Sequence, residues 1–329
     1  MLDAIANAVR HSPGIAGKTD IAPVLAALGE RSQGIRVGDD CAAIPDGDGW
    51  LLFAIEGFVN GFVTQAPYFA GYCGVMVNLS DIAAMGGRPT AVVDAIWSRD
   101  HEAARPILAG LAEAARVYNV PVVGGHSNAS SEQEQLSVSV LGRANGLLTS
   151  FDAQPDDILL AAVDLRGRYR APWPNWDAST GSDPARLRAD LEILPGLAED
   201  GLCAAAKDIS MGGVIGTTMM LLECSGVGAT VDIGRVPRPA GAAPPRWLTE
   251  TFPSFGFVLS APPDRADAVT RRFTERGIAC AAIGRCDDTR RLRLRADNEY
   301  RDIWDFASRP YIGCGPATVS VGMPEAAHA

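Results

Sequence analysis

Two pairs of polar residues are the first in the chain whose types and spacing could do chemistry. Asp39 and Asp40 are adjacent and follow Gly38. Neighbouring carboxylates repel each other unless a cation or hydrogen-bond donors compensate, and Mg²⁺ takes oxygen ligands of this kind. Asn78 and Asp81 are three residues apart in a segment of helical pattern, so they share one helix face. A solvated acidic turn and hydrogen bonding between helices are the alternatives for these pairs.

Two glycine-rich segments add further candidate groups. A predicted short strand runs into Gly124, Gly125 and then His126. Glycine lets the backbone approach a ligand, and histidine can bind one, although a lone histidine after a turn is more often simply exposed. Asp208 precedes a glycine-rich turn and a predicted helix, whose free N–H groups favour an anion. Alternatively, Asp208 belongs to the N-cap region of that helix. The chain has no Walker motif and no Gly-x-Gly-x-x-Gly fingerprint.

Helices and strands alternate along the chain and must position these groups, which indicates a mixed α/β or α+β class. A break at 150–157 divides the chain into a predicted first domain, 1–150, and a second domain, 151–315. We expect 316–329 to be a flexible tail. The predicted helices are 2–10, a short one ending near Gly29, 67–85, 101–118, one following the loop 166–183 and ending near Asp200, and 264–276; the predicted strands are 50–56, 90–97, 120–123, 135–143, 158–163, 255–260 and 279–284.

Composition excludes several function classes. The 329 residues carry a net charge of −10, which argues against nucleic-acid or anionic-membrane partners because both need a basic face. An acidic enzyme can still bind phosphate compounds if Mg²⁺ supplies positive charge. The seven cysteines form no Cys-x-x-Cys pair, so we expect reduced thiols and a cytoplasmic location. Residues 1–10 do not have the pattern of a signal peptide, and no apolar run reaches the ~18 residues of a membrane span.

The order of four motifs is more specific than any one of them. Gly-Asp-Asp, Asn-Leu-Ser-Asp-Ile-Ala-Ala-Met-Gly-Gly-x-Pro, Val-Gly-Gly-x-Ser and Asp-Ile-Ser-x-Gly-Gly follow one another along the chain. This set resembles the aminoimidazole ribonucleotide synthetase superfamily, which includes thiamine-monophosphate kinase, selenophosphate synthetase and a hydrogenase-maturation carbamoyl dehydratase. The resemblance implies two α+β domains, in which the N-terminal sheet forms a barrel across a homodimer and the C-terminal domain is an α/β sandwich. It also implies ATP and Mg²⁺ as cofactors.

The resemblance carries over to individual positions. His126 stands where most relatives have a carboxylate, and Met211 stands where the thiamine-phosphate kinase has a second aspartate. Lys18 is placed where a lysine could reach a γ-phosphate, or it is an ordinary surface lysine. The implied metal ligands are Asp39, Asp40, Asp81, Asp208 and, where relatives usually carry aspartate, Glu56; the implied ATP-binding residues are Asn78, Asp81, Gly124, Gly125 and His126; the implied catalytic residues are Lys18 and Asp208.

The loop 166–183 is rich in arginine and tryptophan. Arginine binds phosphates or carboxylates in a forked geometry, and tryptophan offers a flat stacking face. Arg168, Arg170 and Trp173 are therefore candidate substrate contacts. The alternative is a surface loop whose aromatic side chains pack against the body of the protein.

These observations lead us to expect an ATP- and Mg²⁺-dependent enzyme acting on a small molecule. It would transfer the γ-phosphoryl group as a kinase, or to activate an amide or carbonyl oxygen for a second step. A non-catalytic nucleotide-binding scaffold is the alternative, motivated by the missing carboxylates at His126 and Met211. A third possibility is a metal site that binds no nucleotide.

Overall fold

The structure, a computed structural model of the chain, describes residues 1–28 and 35–316. The end of the predicted helix near Gly29 and the predicted tail beyond Pro316 lie outside these residues. No helix in the described part of the chain combines the length and apolar character needed to cross a membrane. The chain begins with three helices: α1 (Leu2–His11), α2 (Pro13–Lys18) and α3 (Ile21–Leu28).

The first half is a five-stranded sheet covered on one face by two long helices. The strand order is β1-β2-β5-β3-β4, with β3 and β4 parallel and the other pairs antiparallel. The sheet is open, with β1 and β4 at its edges, so these described strands close no barrel within one chain. Its elements are β1 (Ala42–Asp46), β2 (Gly49–Phe58), α4 (Asn60–Gln65), α5 (Pro67–Ala84), β3 (Arg88–Trp97), α6 (His101–Tyr118), β4 (Val122–Asn128) and β5 (Gln135–Ala144).

The second half is a seven-stranded sheet with a small three-stranded sheet beside it. Their strand orders are β15-β14-β10-β13-β6-β12-β9 and β11-β8-β7. The elements are β6 (Ile158–Val163), β7 (Arg168–Tyr169), β8 (Asn175–Asp177), α7 (Pro184–Leu191), α8 (Ile193–Glu199), β9 (Ala205–Asp208), α9 (Gly213–Ser225), β10 (Gly228–Asp232), α10 (Pro244–Thr249), β11 (Phe252–Pro253), β12 (Gly256–Ala261), α11 (Ala266–Thr274), β13 (Ala279–Asp287), β14 (Arg291–Ala296) and β15 (Glu299–Asp305).

Strand β6 shows why the second half has two cores. Successive side chains of a strand point to opposite faces, and a strand that is covered on both faces is apolar throughout. Leu159 and Ala161 join the core that contains α1 and α9, whereas Leu160 and Ala162 join the core that contains α8 and α11. The continuous apolar run at 158–163 is therefore a central strand.

Helix α5 is the element that the two halves share. Pro67 begins it at a position where the missing N–H costs nothing, and Gly86 ends it with φ +76°. Its residues from Phe69 to Ala84 are all buried. Most of them pack under the first sheet, but Ala83 and Ala84 pack among residues of the second half. Any polar side chain between Phe69 and Ala84 is consequently held inside the protein, where it needs a partner.

Two local predictions are wrong. The predicted strand before Gly124 does not end in a turn there, because β4 continues to Asn128. Gly125 lies opposite Asp94 on β3, and a Cβ at this position would come within 2.0 Å of Asp94 Oδ1. Glycine therefore allows the two strands to approach closely here. The turn-to-helix segment predicted to start at Lys207 begins instead with the end of strand β9, which pairs with β12 and carries Lys207 and Asp208.

Candidate functional site

Three carboxylates from separate parts of the chain meet at one point. Asp40 comes from the loop before β1, Asp81 from the last turn of α5, and Asp208 from the end of β9. One oxygen of each lies within 4.8 Å of the others. The backbone N–H of Asp208 donates to Asp40 Oδ2 over 3.1 Å, which ties the second half to the first. We call these three residues the carboxylate cluster.

The carboxylate cluster contains an oxygen without a partner. Asp81 Oδ2 is buried and accepts no hydrogen bond within the described residues, and Asn78 Oδ1, one helical turn earlier, is in the same condition. Asn78 Nδ2 donates to Gly74 O over 2.7 Å, which fixes the amide. A buried polar atom without a protein partner is uncommon in native proteins, and a water, an ion or a ligand can satisfy it. Carboxylate and amide oxygens are the donors that Mg²⁺ prefers, so these residues fit that ion.

Asp39 and Lys207 border the carboxylate cluster. Asp39 accepts hydrogen bonds from the backbone N–H and the hydroxyl of Ser150, at 2.8 and 2.6 Å. Lys207 Nζ lies 2.5 Å from Asp40 Oδ1 and 3.9 Å from Asp39 Oδ1. The ammonium also donates to Ser150 Oγ over 3.4 Å. Asp39 is therefore satisfied by donors of this chain, whereas Asp81 is not.

Burial and mutual repulsion shift the titration of these acids. Burial raises the pKa of Asp39 to about 6, although the positive charge of Lys207 acts in the opposite direction. Burial, followed by the charges of Asp208 and Glu56, raises the pKa of Asp81 well above its ordinary value. The pKa of Asp208 is raised well above its ordinary value by burial and then by Asp40. In the absence of a bound cation, these carboxylates therefore resist ionisation.

Lys207 carries a charge of the opposite sign in the same region. Burial alone would lower its pKa, but the charges of Asp40 and Asp39 outweigh burial and hold the pKa above the ordinary lysine value. Lys207 is only 4% exposed. A buried ammonium is stable only when it is paired in this way.

Glu56 and Lys18 lie at the margin of the carboxylate cluster. Glu56 is half-buried on β2, and burial raises its pKa while the charge of Lys18 lowers it. The charge of Lys18 also lowers the pKa of Asp208. Lys18 ends α2, which Ser12 caps by accepting a hydrogen bond from the backbone N–H of Ile15. Glu56 is thus within electrostatic range of all three carboxylates, and Lys18 is within electrostatic range of Asp208.

The loop that carries Asp39 and Asp40 lies under the end of the described chain. Gly38 has φ +116°, and a Cβ there would lie within 2.2 Å of Cys314 Sγ, so only glycine fits. The segment around Cys314 is fixed by buried Glu223, whose carboxylate accepts the backbone N–H groups of Tyr311 and Ile312 at 2.7 and 2.6 Å.

Three predicted residues do not join the carboxylate cluster in the single chain. Gly124, Gly125 and His126 lie on the exposed edge strand β4. Strand β4 is three positions away in the sheet from β2, the strand that carries Glu56. This separation is roughly 14 Å at the usual strand spacing. The ring of His126 lies 5.8 Å from that of Trp97. The role in ATP binding that the resemblance implies for them stays a prediction.

Two of the three predicted substrate contacts are already occupied by the protein. Arg170 pairs with Asp177 at 2.7 Å and lies over the ring of Phe69 at 4.8 Å. Trp173 packs edge-on against Phe62 at 5.0 Å. These contacts join the loop 166–183 to α4 and α5, which matches the alternative of a packed loop. Arg168 is exposed on β7, and the geometry gives it no link to the carboxylate cluster.

Sequence reasoning missed Lys207 and Ser150. Lys207 precedes a predicted ligand and was available as a signal, since Lys18 and Lys207 are the only two lysines among 29 basic residues. Ser150 lies in the segment between the two halves and offered no signal, because its role depends on the tertiary contact with Asp39.

Comparison with known proteins identifies the family. Residues 38–144 match the N-terminal domain of AIR synthase related proteins, and residues 158–297 match the C-terminal domain. The chain therefore belongs to the AIR synthase related protein family, as the ordered motifs predicted. An uncharacterized protein of Synechocystis is 46% identical over 85% of this chain and 87% of its own length. Thiamine-monophosphate kinase of Pyrococcus horikoshii is 32% identical over 39% of this chain and 43% of its own.

Solved structures share the two-domain α+β fold. PurL of Thermotoga maritima complexed with ADP superposes with a TM-score of 0.69 at 21% identity, over 85% of this chain and 46% of that one. AaThiL complexed with AMPPCP and TMP superposes with a TM-score of 0.64 at 16% identity, over 85% of this chain and 96% of that one. The predicted α+β class and the predicted family fold are confirmed at this level.

Proposed function

We propose that this protein is an ATP- and Mg²⁺-dependent enzyme that transfers the γ-phosphoryl group to a small molecule. The observation that carries the proposal is the carboxylate cluster, together with the unpartnered oxygen Asp81 Oδ2. Relatives named as thiamine-monophosphate kinase and a fold neighbour complexed with AMPPCP support a nucleotide as the ligand. The acceptor is either the final product, as in a kinase, or an amide or carbonyl oxygen activated for a second step.

Each residue of the proposed site would have a role that follows from its position. Asp40, Asp81 and Asp208 would hold Mg²⁺, which neutralises phosphate charge when bound. Asn78, one helical turn before Asp81, has a buried Oδ1 that accepts no hydrogen bond from the described residues. Lys18, at the end of α2, would donate hydrogen bonds to the transferred group and stabilise its charge. Catalysis of this kind consists mainly of positioning and charge stabilisation.

Titration calorimetry with Mg²⁺ and ADP or ATP tests the proposal. We expect the unmodified protein to bind the nucleotide, and Asp81→Asn to weaken that binding sharply. Asp100→Asn is the matched control, because Asp100 is an exposed N-cap of α6 and asparagine caps a helix equally well. No binding by the unmodified protein at millimolar nucleotide refutes the proposal. ADP release during a screen of small metabolites then identifies the acceptor.

A non-catalytic nucleotide-binding scaffold is the second candidate. It is favoured by the exposed position of Met211, where the thiamine-phosphate kinase pattern has an aspartate. This candidate predicts nucleotide binding without ADP formation for every substrate tested. The same calorimetry and the same screen separate it from the enzyme.

We further propose that the protein is a homodimer formed through the open face of the first sheet. Phe53 and Leu141 are cross-strand neighbours on that face, and Ile55 and Val93 both lie opposite Ser139. The four apolar side chains are between 38 and 67% exposed. Adjoining exposed apolar groups of this kind mark interaction surfaces. The seven thiols, all free, are consistent with the cytoplasm as the proposed location.

A further inference from the structure

The distribution of lysine in this protein is unusual. Of its 29 basic residues, 27 are arginine and only two, Lys18 and Lys207, are lysine. Lys207 contacts the carboxylate cluster directly, since its Nζ lies 2.5 Å from Asp40 Oδ1. An ammonium is a compact point charge with three freely oriented donors, whereas a guanidinium is a larger planar fork. The buried pair Asp164 and Asp190 is compensated by arginines, whereas the carboxylate cluster has a lysine beside it.

Lys207 occupies a position that resembles the site of a bound cation. Three oxygens surround its Nζ: Asp40 Oδ1 at 2.5 Å, Ser150 Oγ at 3.4 Å and Asp39 Oδ1 at 3.9 Å. The side chains of Asp39 and Asp40 are 2 and 5% exposed, so water cannot compensate for their charges. Carboxylate and hydroxyl oxygens are the ligands that a hard divalent ion would take in this place.

The other side of the same group of acids has no such cation. Asp81 and Asp208 lie beyond Asp40, and no ammonium or guanidinium of the described residues lies within salt-bridge distance of either carboxylate. Asp81 Oδ2 is buried and unpartnered. Lys207 thus compensates the charges of Asp39 and Asp40 through salt bridges, whereas no side chain of the described residues forms a salt bridge with Asp81 or Asp208.

We propose that Lys207 is a built-in cation that takes the place of a second divalent ion, so that each chain binds one divalent ion. That ion lies among Asp40, Asp81 and Asp208, while Lys207 holds Asp39 and Asp40. This inference rests on the proposed function, because it concerns the same ion site. It assigns Lys207 a positioning role that determines how many ions the site accepts.

Counting bound Mn²⁺ tests the inference without nucleotide or turnover. Mn²⁺ alone is titrated into the full chain, and the free ion is measured by its electron paramagnetic resonance signal. We expect one tightly bound ion per chain in the unmodified protein and none in Asp81→Asn. We expect two ions in Lys207→Gln, because the uncompensated pair Asp39 and Asp40 then recruits a second one. The double variant Asp39→Asn with Lys207→Gln should return to one ion.

Each outcome decides a separate point. Two tightly bound ions in the unmodified protein, or a single ion in a folded Lys207→Gln protein, overturns the role of Lys207 while leaving the ion site in place. No bound Mn²⁺ in the unmodified protein overturns the ion site and the proposed function with it. If Lys207→Gln does not fold, the electron paramagnetic resonance spectrum of the Mn²⁺-loaded unmodified protein decides the number of ions. Two neighbouring Mn²⁺ ions show magnetic coupling in that spectrum, and a single ion does not.

Discussion

Replacing the ionisable carboxyl of Asp81 with an amide should make the ion-free protein more stable while it abolishes ion binding. Asp81 Oδ2 is buried without a partner, and its pKa is raised by burial and by Asp208 and Glu56. A buried polar group left unsatisfied costs about 1–3 kcal/mol. Asparagine has the same shape and is neutral without taking up a proton, so Asp81→Asn should recover about that amount. For 329 residues the unfolding entropy is about 0.7 kcal/mol/K, so the gain corresponds to a rise in Tm of about 1.5–4 °C.

The assay is thermal unfolding in a chelator at neutral pH, repeated with Mn²⁺. Asp157→Asn is the matched control, because Asp157 is also buried but its Oδ2 accepts bonds from the backbone N–H of Gln154 and from Ser260 Oγ, at 3.0 and 2.8 Å. That variant loses satisfied charge-assisted bonds and should unfold at a lower temperature. Mn²⁺ should raise the Tm of the unmodified protein and leave that of Asp81→Asn unchanged. A fall in the Tm of Asp81→Asn in the chelator, similar to that of Asp157→Asn, would refute the reasoning.

Four further results are expected. First, the folded-state pKa values of Asp39 and Asp81 are raised, so their contribution to stability is present below about pH 4 and is lost as pH rises, for Asp39 through about 6. The protein in chelator should therefore unfold at lower urea concentrations as the pH rises over that range. An equal loss of stability in Asp81→Asn would contradict this. Second, an ATP acyl phosphate, which acylates amines beside bound phosphates, should label Lys18 and spare Lys207 in peptide mass spectra; label elsewhere only would rule out the proposed position of Lys18. Third, Phe53→Glu should turn the proposed dimer into a monomer in sedimentation velocity, and an unchanged mass would exclude this face. Fourth, Glu223→Gln replaces an acceptor of two backbone N–H groups and should cost about 1–3 kcal/mol in urea unfolding, so an unchanged midpoint would contradict the assigned contact.

The long regular elements could be predicted from the sequence because their periodicity is strong. The helix predicted at 101–118 has these bounds in the structure, and the helix predicted at 67–85 ends one residue earlier. The strand predicted at 158–163 is also found with these bounds, because a strand buried on both faces is apolar throughout. Lys207 lies in a strand rather than a turn because its pairing with β12 outweighs the local glycine signal that follows it.

The site was only partly predictable. The meeting of Asp40, Asp81 and Asp208 agrees with the resemblance, which supplied a tertiary relation that no local pattern contains. Pairing of Lys207 with Asp39 depends on strand β9 reaching the loop before β1, and residues so far apart leave no local signal. Arg170 was a reasonable candidate for substrate by residue type, but its partner Asp177 is seven residues away and lies in the same small sheet.

The placement of α1 has a consequence for how the protein folds as it is made. Leu2, Ile5 and Val9 are buried in the core of the second half, beside strands that appear only after residue 228. The first half is thus an insertion between a leading helix and the core to which that helix belongs. Chains emerge from the ribosome at about 5–20 residues per second. The interval between the synthesis of α1 and that of the strands that cover its apolar face is therefore roughly ten seconds or longer. The apolar face of α1 therefore gains its final contacts only once β14 and β15 are complete, and until then it can make non-native apolar contacts.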